Sequence, residues 1–443
     1  MRKRTDNVED KMENSGRQGQ VNFFEELEWR GLVYSATDGL RDLFANEKVT
    51  AYIGFDPSSK SLQAGNLLTI MGLVRLQQFG HVPIAVAGGG TGLIGDPSFK
   101  TTERPLLKKE EVEFNLECIR GQLEHFLDFE SKTNAALMVN NADWLTTTPL
   151  TDFLRDIGKH FTVNALIAKE SVKRRLEQEG ISYTEFSYVL LQSYDYLTLF
   201  ERHNCKLQMG GSDQWGNITA GVDLIRRVHG QTAHALVWPL LLTTSGVKMG
   251  KSESGTVWLD EEMTSPYRFY QYLYNSDDRD VIGYLKSLTL LSRQRIEELE
   301  ASLEVHPEQR DAQRELARDV TRRVHGEDAL RGAEEASRVL FGGAIEKLKL
   351  SDVLDIFSEA PSVETPVDDL AGDGMAITDL VVKSGIARSK GEARRLVEGG
   401  GIYLQNMRVS DPKRTVLLQD AIEGQVFVLR KGQKDYRLVR ISG

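Results

Sequence analysis

Hydrophobic positions along the chain change period several times, and the changes divide it into segments. Over 49–245, short apolar or β-branched runs alternate with stretches whose apolar residues recur every three or four positions. Thr50–Phe55 reads as a buried strand, and residues 67, 68, 71 and 74 within 65–79 form a helical stripe. Val82–Ala87, 136–139 and 206–209 are further strand candidates. Strands alternating with helices predict crossover connections, a parallel sheet and an α/β class, with ligands beyond the carboxyl ends of the strands. After Asp260 the strand pattern stops, and 265–348 is helical in period and rich in charge. The stretch 358–374 holds Pro361, Pro366 and several acids without a period, which predicts a linker. Beyond it, 377–397 reads as two short helices, and 401–409 and 425–439 as strands. The expected organisation is an N-terminal extension at 1–22, an α/β domain at 23–260, a helical domain at 261–357, a linker at 358–374 and an α+β module at 375–443.

Composition narrows the class. With 443 residues, 40% apolar and 27% charged, the chain can bury a large core and exceeds one ordinary domain. No run of about 18 apolar residues occurs, so a membrane-spanning helix is excluded. Two isolated cysteines, Cys118 and Cys205, support neither a disulfide scaffold nor a zinc ribbon. The first twenty residues mix Arg2, Lys3 and Arg4 with Asp6, Glu9, Asp10 and Glu13. That mixture fits neither a signal nor a transit peptide, and predicts a disordered extension of a cytoplasmic protein. The net charge is −10, yet 375–443 holds thirteen Lys/Arg against seven Asp/Glu, so the tail is +6 and the rest −16. A basic module on an acidic body is either a polyanion-binding surface or a solvated face.

Three segments suggest phosphate chemistry. Gly90-Thr91-Gly92-Leu93-Ile94-Gly95 follows a strand and has the spacing of a dinucleotide loop. Asp96-Pro97 and then Pro105 follow where a helix should begin, which argues against that fold. Gly246-Val247-Lys248-Met249-Gly250-Lys251-Ser252 has three residues between its glycines, one too few for a P-loop. It reads either as a Gly-flanked loop presenting two ammonium groups to a polyphosphate or as a surface turn. Ser61-Leu62-Gln63-Ala64-Gly65-Asn66 joins the first strand to the first helix, where Gly65 leaves room for a flat base.

Together the last two segments resemble the paired nucleotide signatures of class I aminoacyl-tRNA synthetases. The likeness narrows with Tyr52-Ile53-Gly54-Phe55-Asp56-Pro57, Thr91 to Ser98, Phe186-Ser187-Tyr188, Gln192, Tyr194-Asp195 and Gly210 to Asn217. All of these are similar to the bacterial-type tyrosyl-tRNA synthetases, from about Phe23 to the C-terminus. The tail around Ala387 to Arg395 also resembles a small RNA-binding module of a ribosomal protein and pseudouridine synthases.

The resemblance implies a Rossmann-like nucleotide-binding catalytic domain, a helical domain and an RNA-binding module. It implies that tyrosine and ATP, with Mg²⁺ as a substrate ion, give tyrosyl-adenylate, and that tRNA(Tyr) then takes the tyrosyl group. No protein-bound cofactor and no protein metal site are implied. Tyr52 and Asp195 would meet the substrate hydroxyl, Asp96, Tyr188 and Gln192 its ammonium, with Gln208 and Gln214 lining the site. Asp56, Ser58, Gly65, Thr69, Gly211, Asp213 and Gln214 would face ATP, Asp213 at the ribose. Gln63, Asn66, Lys100, Arg104, Lys248 and Lys251 would act on the phosphates. Arg388, Lys390, Arg394 and Arg395 would bind tRNA, and a homodimer is expected. Gln63 departs from the usual histidine of the first signature; its amide donates a hydrogen bond but carries no charge. Alternative readings are a tryptophanyl-tRNA synthetase, or a synthetase-derived RNA-binding protein impaired at Gln63.

Overall fold

The alternating segment folds into one six-stranded sheet with order β1-β6-β5-β2-β3-β4. These strands are β1 (Ser35–Ala36), β2 (Thr50–Phe55), β3 (Val82–Ala87), β4 (Leu137–Asn140), β5 (Leu207–Gly211) and β6 (His234–Trp238). All pairings are parallel except β1 with β6. The computed structural model describes residues 21–98, 106–176, 180–244, 246–252, 255–339, 345, 350–358, 360–372, 374–432 and 435–442. The expected extension therefore lies, for 1–20, outside the described residues. Strands β1 and β6 are additions to the sequence reading. All five residues of β6 are buried, so it shows no alternation, and β1 is only two residues long.

From β2 the chain builds outward through β3 and β4 on one side, then returns to β5 and β6 on the other. The reversal opens a crevice between the carboxyl ends of β2 and β5, where Tyr52 stands beside Gln208 in register. The helix Leu67–Gln78 leaves the first signature and is buried on most of its surface. Its Arg75 is 1% exposed and donates to the carbonyls of Ser287 at 2.5 Å and Thr289 at 2.8 Å. Arg30 donates from beside it to Lys286 O at 2.9 Å and Leu291 O at 2.8 Å. Two cations thus satisfy the carbonyls that end the helix Asp278–Leu288, and tie the helical region to the sheet layer. Burial, and then the neighbouring Arg30, lower the Arg75 guanidinium to about 9.

The helical region runs through Pro266–Tyr274, Asp278–Leu288, Arg293–Val305 and Asp311–Val339, the last interrupted at Gly326 with φ 87°. The expected linker at 358–374 is corrected by the structure. Ser362–Pro366 is a strand, parallel to Asp435–Ser442, at the edge of a five-stranded sheet. Thr365 and Leu370 are buried in that module. An edge strand pairs on one side only and so tolerates proline, and its partner lies too far along the chain to give a hairpin signal. Tyr267, Val339, Phe357, Val428 and Leu438 share a buried cluster that seats the module on the helical region.

Buried His81 and half-buried His325 couple this fold to pH. His81 Nδ1 accepts from Val49 N at 3.2 Å between the rings of Phe23 and Phe44. His325 meets the edge of Phe269. Burial lowers both imidazoles to about 4. Between pH 6.5 and 4 the unfolded chain binds protons that the native chain refuses, so their contribution to stability is lost as pH falls through that window. The change is roughly 2 kcal/mol per histidine from pH 6.5 to 5. Urea unfolding of wild type and His81→Gln at both pH values checks it: the variant should lose less stability on acidification, and equal losses would refute the assignment.

Candidate active site

A cavity of about 490 Å³ opens at the β2/β5 crevice. Every tyrosine-binding and ATP-binding residue named from the sequence lines it, as do Gln63 and Asn66. Lys100 and Arg104 lie outside the described residues.

The cavity has a buried polar side. Tyr52 is 1% exposed and its hydroxyl has no hydrogen-bond partner among the described residues; nor has Gln208 Oε1, its neighbour in register. Buried polar atoms without partners cost about 1–3 kcal/mol each, so two side by side mark a place built for a polar ligand. Burial, reinforced by the charge of Asp195, raises the Tyr52 phenol well above its ordinary value and keeps it a neutral donor. Asp195 accepts from Trp144 Nε1 at 2.7 Å and from Asn141 Nδ2 at 2.9 Å. Burial pushes its carboxyl up to about 7, while these two donors pull the other way. Sequence reasoning missed Asn141 and Trp144.

Tyr188, Gln192 and Asp195 stand on one face of the helix Tyr183–His203, at spacings of four and three. Ser182 caps its start by accepting from Glu185 N, and Asn204 ends it in the left-handed conformation at φ 48°. Tyr188 donates to Asp56 Oδ2 at 2.8 Å, and Thr91 donates to Asp56 Oδ1 at 2.7 Å. An amide chain runs alongside. Gln214 Nε2 donates to Asp96 Oδ2 at 2.7 Å, and Asn217 Nδ2 donates to Gln192 Oε1 at 2.9 Å. Asp96 also accepts from Ser98 N at 3.0 Å, a local turn rather than a helix cap. Gln214 thus meets the Asp96 carboxylate, although the sequence reading set it at ATP. Thr91–Leu93 forms a single tight turn, so no dinucleotide-type helix starts there.

The other side of the cavity is where the two signatures meet. Ala64 N donates to Val257 O and Leu259 N to Leu62 O, both at 2.9 Å. A Cβ on Gly65 would lie 2.8 Å from Met249 O, and one on Gly250 2.7 Å from Gly65 N. Gly250 also has φ +89°, so its place suits glycine on both counts. Asn66 Oδ1 accepts from Gln63 N at 2.9 Å, which leaves the Asn66 amide NH₂ to donate elsewhere. Thr69 is turned back on Asn66 O at 2.6 Å. Lys248 and Lys251 are exposed at the rim. Burial raises the Asp213 carboxyl, and Lys248 partly opposes the rise.

Arg388, Lys390, Arg394 and Arg395 lie apart from this cavity, exposed on the tail. Lys390 pairs with Asp379 at 2.7 Å and Arg394 with Glu398 at 2.9 Å.

Comparison with known proteins agrees with this geometry. Residues 45–342 match the family described as tRNA synthetases class I (W and Y). Residues 352–439 match the tyrosine–tRNA ligase SYY-like C-terminal domain, which starts before the strand that sequence pattern hid. The tyrosine–tRNA ligase of Roseiflexus castenholzii is 58% identical over 418 residues, 94% of this chain and 99% of that one. That of Geobacillus stearothermophilus is 50% identical over 420 residues, with the same coverage. A C-terminally truncated mitochondrial tyrosyl-tRNA synthetase from Aspergillus nidulans superposes with a TM-score of 0.66 at 28% identity, covering 73% of this chain and 95% of that one. With the folded tail, the buried Tyr52 and Asp195 and both glycine-bearing signatures in one crevice, the chain belongs to the class I tRNA synthetases, among the tyrosine–tRNA ligases.

Proposed function

We propose that the chain activates tyrosine with ATP and passes the tyrosyl group to the 3′-terminal ribose of tRNA(Tyr), using the residues around the β2/β5 crevice. The observation that carries the residue assignment is the pair Tyr52 and Asp195, buried together on one side of the cavity. A phenol both donates and accepts, and this pair answers both needs. An indole N–H only donates and accepts nothing, so against tryptophan it would answer one member of the pair and leave the other unpaired.

Asp96 supplies the counter-charge for the substrate ammonium, held in aim by Gln214. Tyrosine's carboxylate oxygen attacks the α-phosphorus of MgATP in line. The bond to the bridging oxygen of the β-phosphate breaks, and magnesium pyrophosphate leaves. The ribose hydroxyl of tRNA then attacks the acyl carbon and AMP departs. No side chain forms a covalent bond. The chain's own contribution is orientation, together with charge placed where pyrophosphate charge develops, by Lys248, Lys251 and the amides of Gln63 and Asn66. Lys100 and Arg104 join that set in our reading. We place the reaction in the cytoplasm, with Mg²⁺ arriving as part of the nucleotide substrate.

The tail's cations suit the phosphates of tRNA. Lys390 and Arg394 pair with half-buried Asp379 and exposed Glu398 through their own exposed side chains, in pairs worth little in water, so exchange for phosphate is cheap. We further propose a homodimer formed through the surface between 150 and 183. Leu150, Leu154, Val163, Ile167, Leu176 and Tyr183 all stand exposed there, a concentration of apolar surface that a second copy would cover.

Three outcomes follow from these assignments. Tyr52→Phe should lower kcat/KM for tyrosine-dependent pyrophosphate exchange by about 0.5–1.5 kcal/mol, and narrow the preference for tyrosine over phenylalanine. An unchanged preference would make Tyr52 a packing residue. Replacing Arg388, Lys390, Arg394 and Arg395 together with Gln should spare adenylate formation and weaken tRNA charging. The salt dependence of tRNA binding should become shallower by up to about one unit of slope per lost phosphate contact. Equal loss of both activities would mark those residues as structural. Finally, Tyr183→Asp should give monomers in sedimentation analysis while Tyr183→Phe stays dimeric; a dimeric Asp variant would place the interface elsewhere.

A further inference from the structure

We propose that Tyr272 is a positioning residue for adenylate formation, holding the Lys248–Lys251 loop against the first signature through one hydrogen bond. The Gly250 N–H donates to the Tyr272 hydroxyl oxygen at 2.7 Å. It joins the loop to a helix that is not otherwise part of the cavity lining. This inference rests on the reading that the two loop lysines act on the phosphates of ATP.

The platform behind the phenol is rigid. Phe269 and Leu273 of the helix Pro266–Tyr274 are fully buried. Ser265 caps the helix by accepting from Arg268 N, and its own hydroxyl donates to Asp355. Gln271 Nε2 donates to Ser337 Oγ at 2.6 Å, fastening the helix to its neighbour. The Tyr272 ring is half-buried and burial raises its pKa, so the hydroxyl stays neutral and able to accept.

The loop needs such a fixture. Gly246 at φ +81° and Gly250 at φ +89° bracket it, and each can take up many other backbone conformations. The side chain of Met249 is buried in the main core, its N–H donates to Leu241 O at 2.8 Å, and Val257 N donates to Gly250 O at 2.8 Å, so these ties run to the core and to the loop's own flanking segments. The Gly250 N–H adds a tie to the separate helix Pro266–Tyr274. With these ties made, Met249 O abuts Gly65, and Lys248 and Lys251 project from a defined strip of backbone. Lysine is a point charge on a flexible stem, so the precision of its ammonium depends on where its Cα is held. Positioning of this kind acts on the step in which the phosphates move, and not on the amino-acid pocket around Tyr52.

The test is Tyr272→Phe in the full chain, compared with Tyr284→Phe. The Tyr284 hydroxyl is buried and has no hydrogen-bond partner among the described residues, so its removal controls for loss of a hydroxyl in this region. Single-turnover adenylate formation and pyrophosphorolysis should both fall about three- to tenfold in Tyr272→Phe, the value of one neutral hydrogen bond. Tyrosine affinity without ATP, transfer from preformed adenylate to tRNA, and the melting temperature should stay as in wild type. Tyr284→Phe should leave all of these rates unchanged. A Tyr272→Phe enzyme with unaltered adenylation would overturn the proposal, as would equal losses in adenylation and transfer, which indicate a structural role. Lys248→Ala separates the two readings. If it lowers adenylation and Tyr272→Phe does not, only the positioning role fails. If Lys248→Ala is also silent, the phosphate role of the loop fails with it.

Discussion

Two stretches of backbone about 180 residues apart in sequence lie against each other with no side chain between them, and the active site is arranged around that contact. Gly65 and Gly250 permit it, since a Cβ on either would strike main-chain atoms of the other segment. The bonds from Ala64 to Val257 and from Leu259 to Leu62 extend it into a short ribbon. Because main chain meets main chain, the separation is set by covalent geometry rather than by rotamers. A flat base and a polyphosphate can then be held between amides at reproducible distances. The glycines of the two signatures therefore serve a spacing requirement as well as a conformational one.

Around that ribbon the polar groups are divided by environment. The side with Tyr52, Gln208 and Asp195 is buried, and burial raises the pKa of both acids in it. The phosphate side is open, with its lysines at the surface. This division suits a reaction whose selectivity depends on desolvated hydrogen bonds and whose leaving group departs highly charged. Asn141 and Trp144 make the buried side tolerable by giving the Asp195 carboxylate two donors.

The parts of this arrangement legible in sequence were those in which residue type and position both carry meaning. Tyr52 lies within an apolar strand two residues before Gly54, Asp195 sits seven residues after Tyr188, and the signatures have their own glycine spacing. Each points at a ligand. Asn141 and Trp144 point at another residue, and nothing in the run Asn-Asn-Ala-Asp-Trp announces that. Tyr272 is concealed differently: it is one of five aromatic residues in nine, and only packing selects the hydroxyl that reaches Gly250. Ser362–Pro366 was lost because its acid and prolines mask the alternation and its partner strand comes last in the module. The reach of the Gln214 amide to Asp96 was hidden, because adjacency in sequence to Asp213 does not report which carboxylate it meets.

That last strand pairing has a consequence for how the protein is made. Asp435–Ser442 lies between Val426–Lys431 and Ser362–Pro366, so the final strand synthesised in the module is an interior one. While the ribosome is still adding it, Ser362–Pro366 has no strand to join, and the faces of Val426 and Val428 that meet Phe357 lack Leu438 beside them. The catalytic sheet, whose six strands are all made by Trp238, has no such delay. The six-stranded sheet can therefore be complete well before the basic surface of the module takes shape.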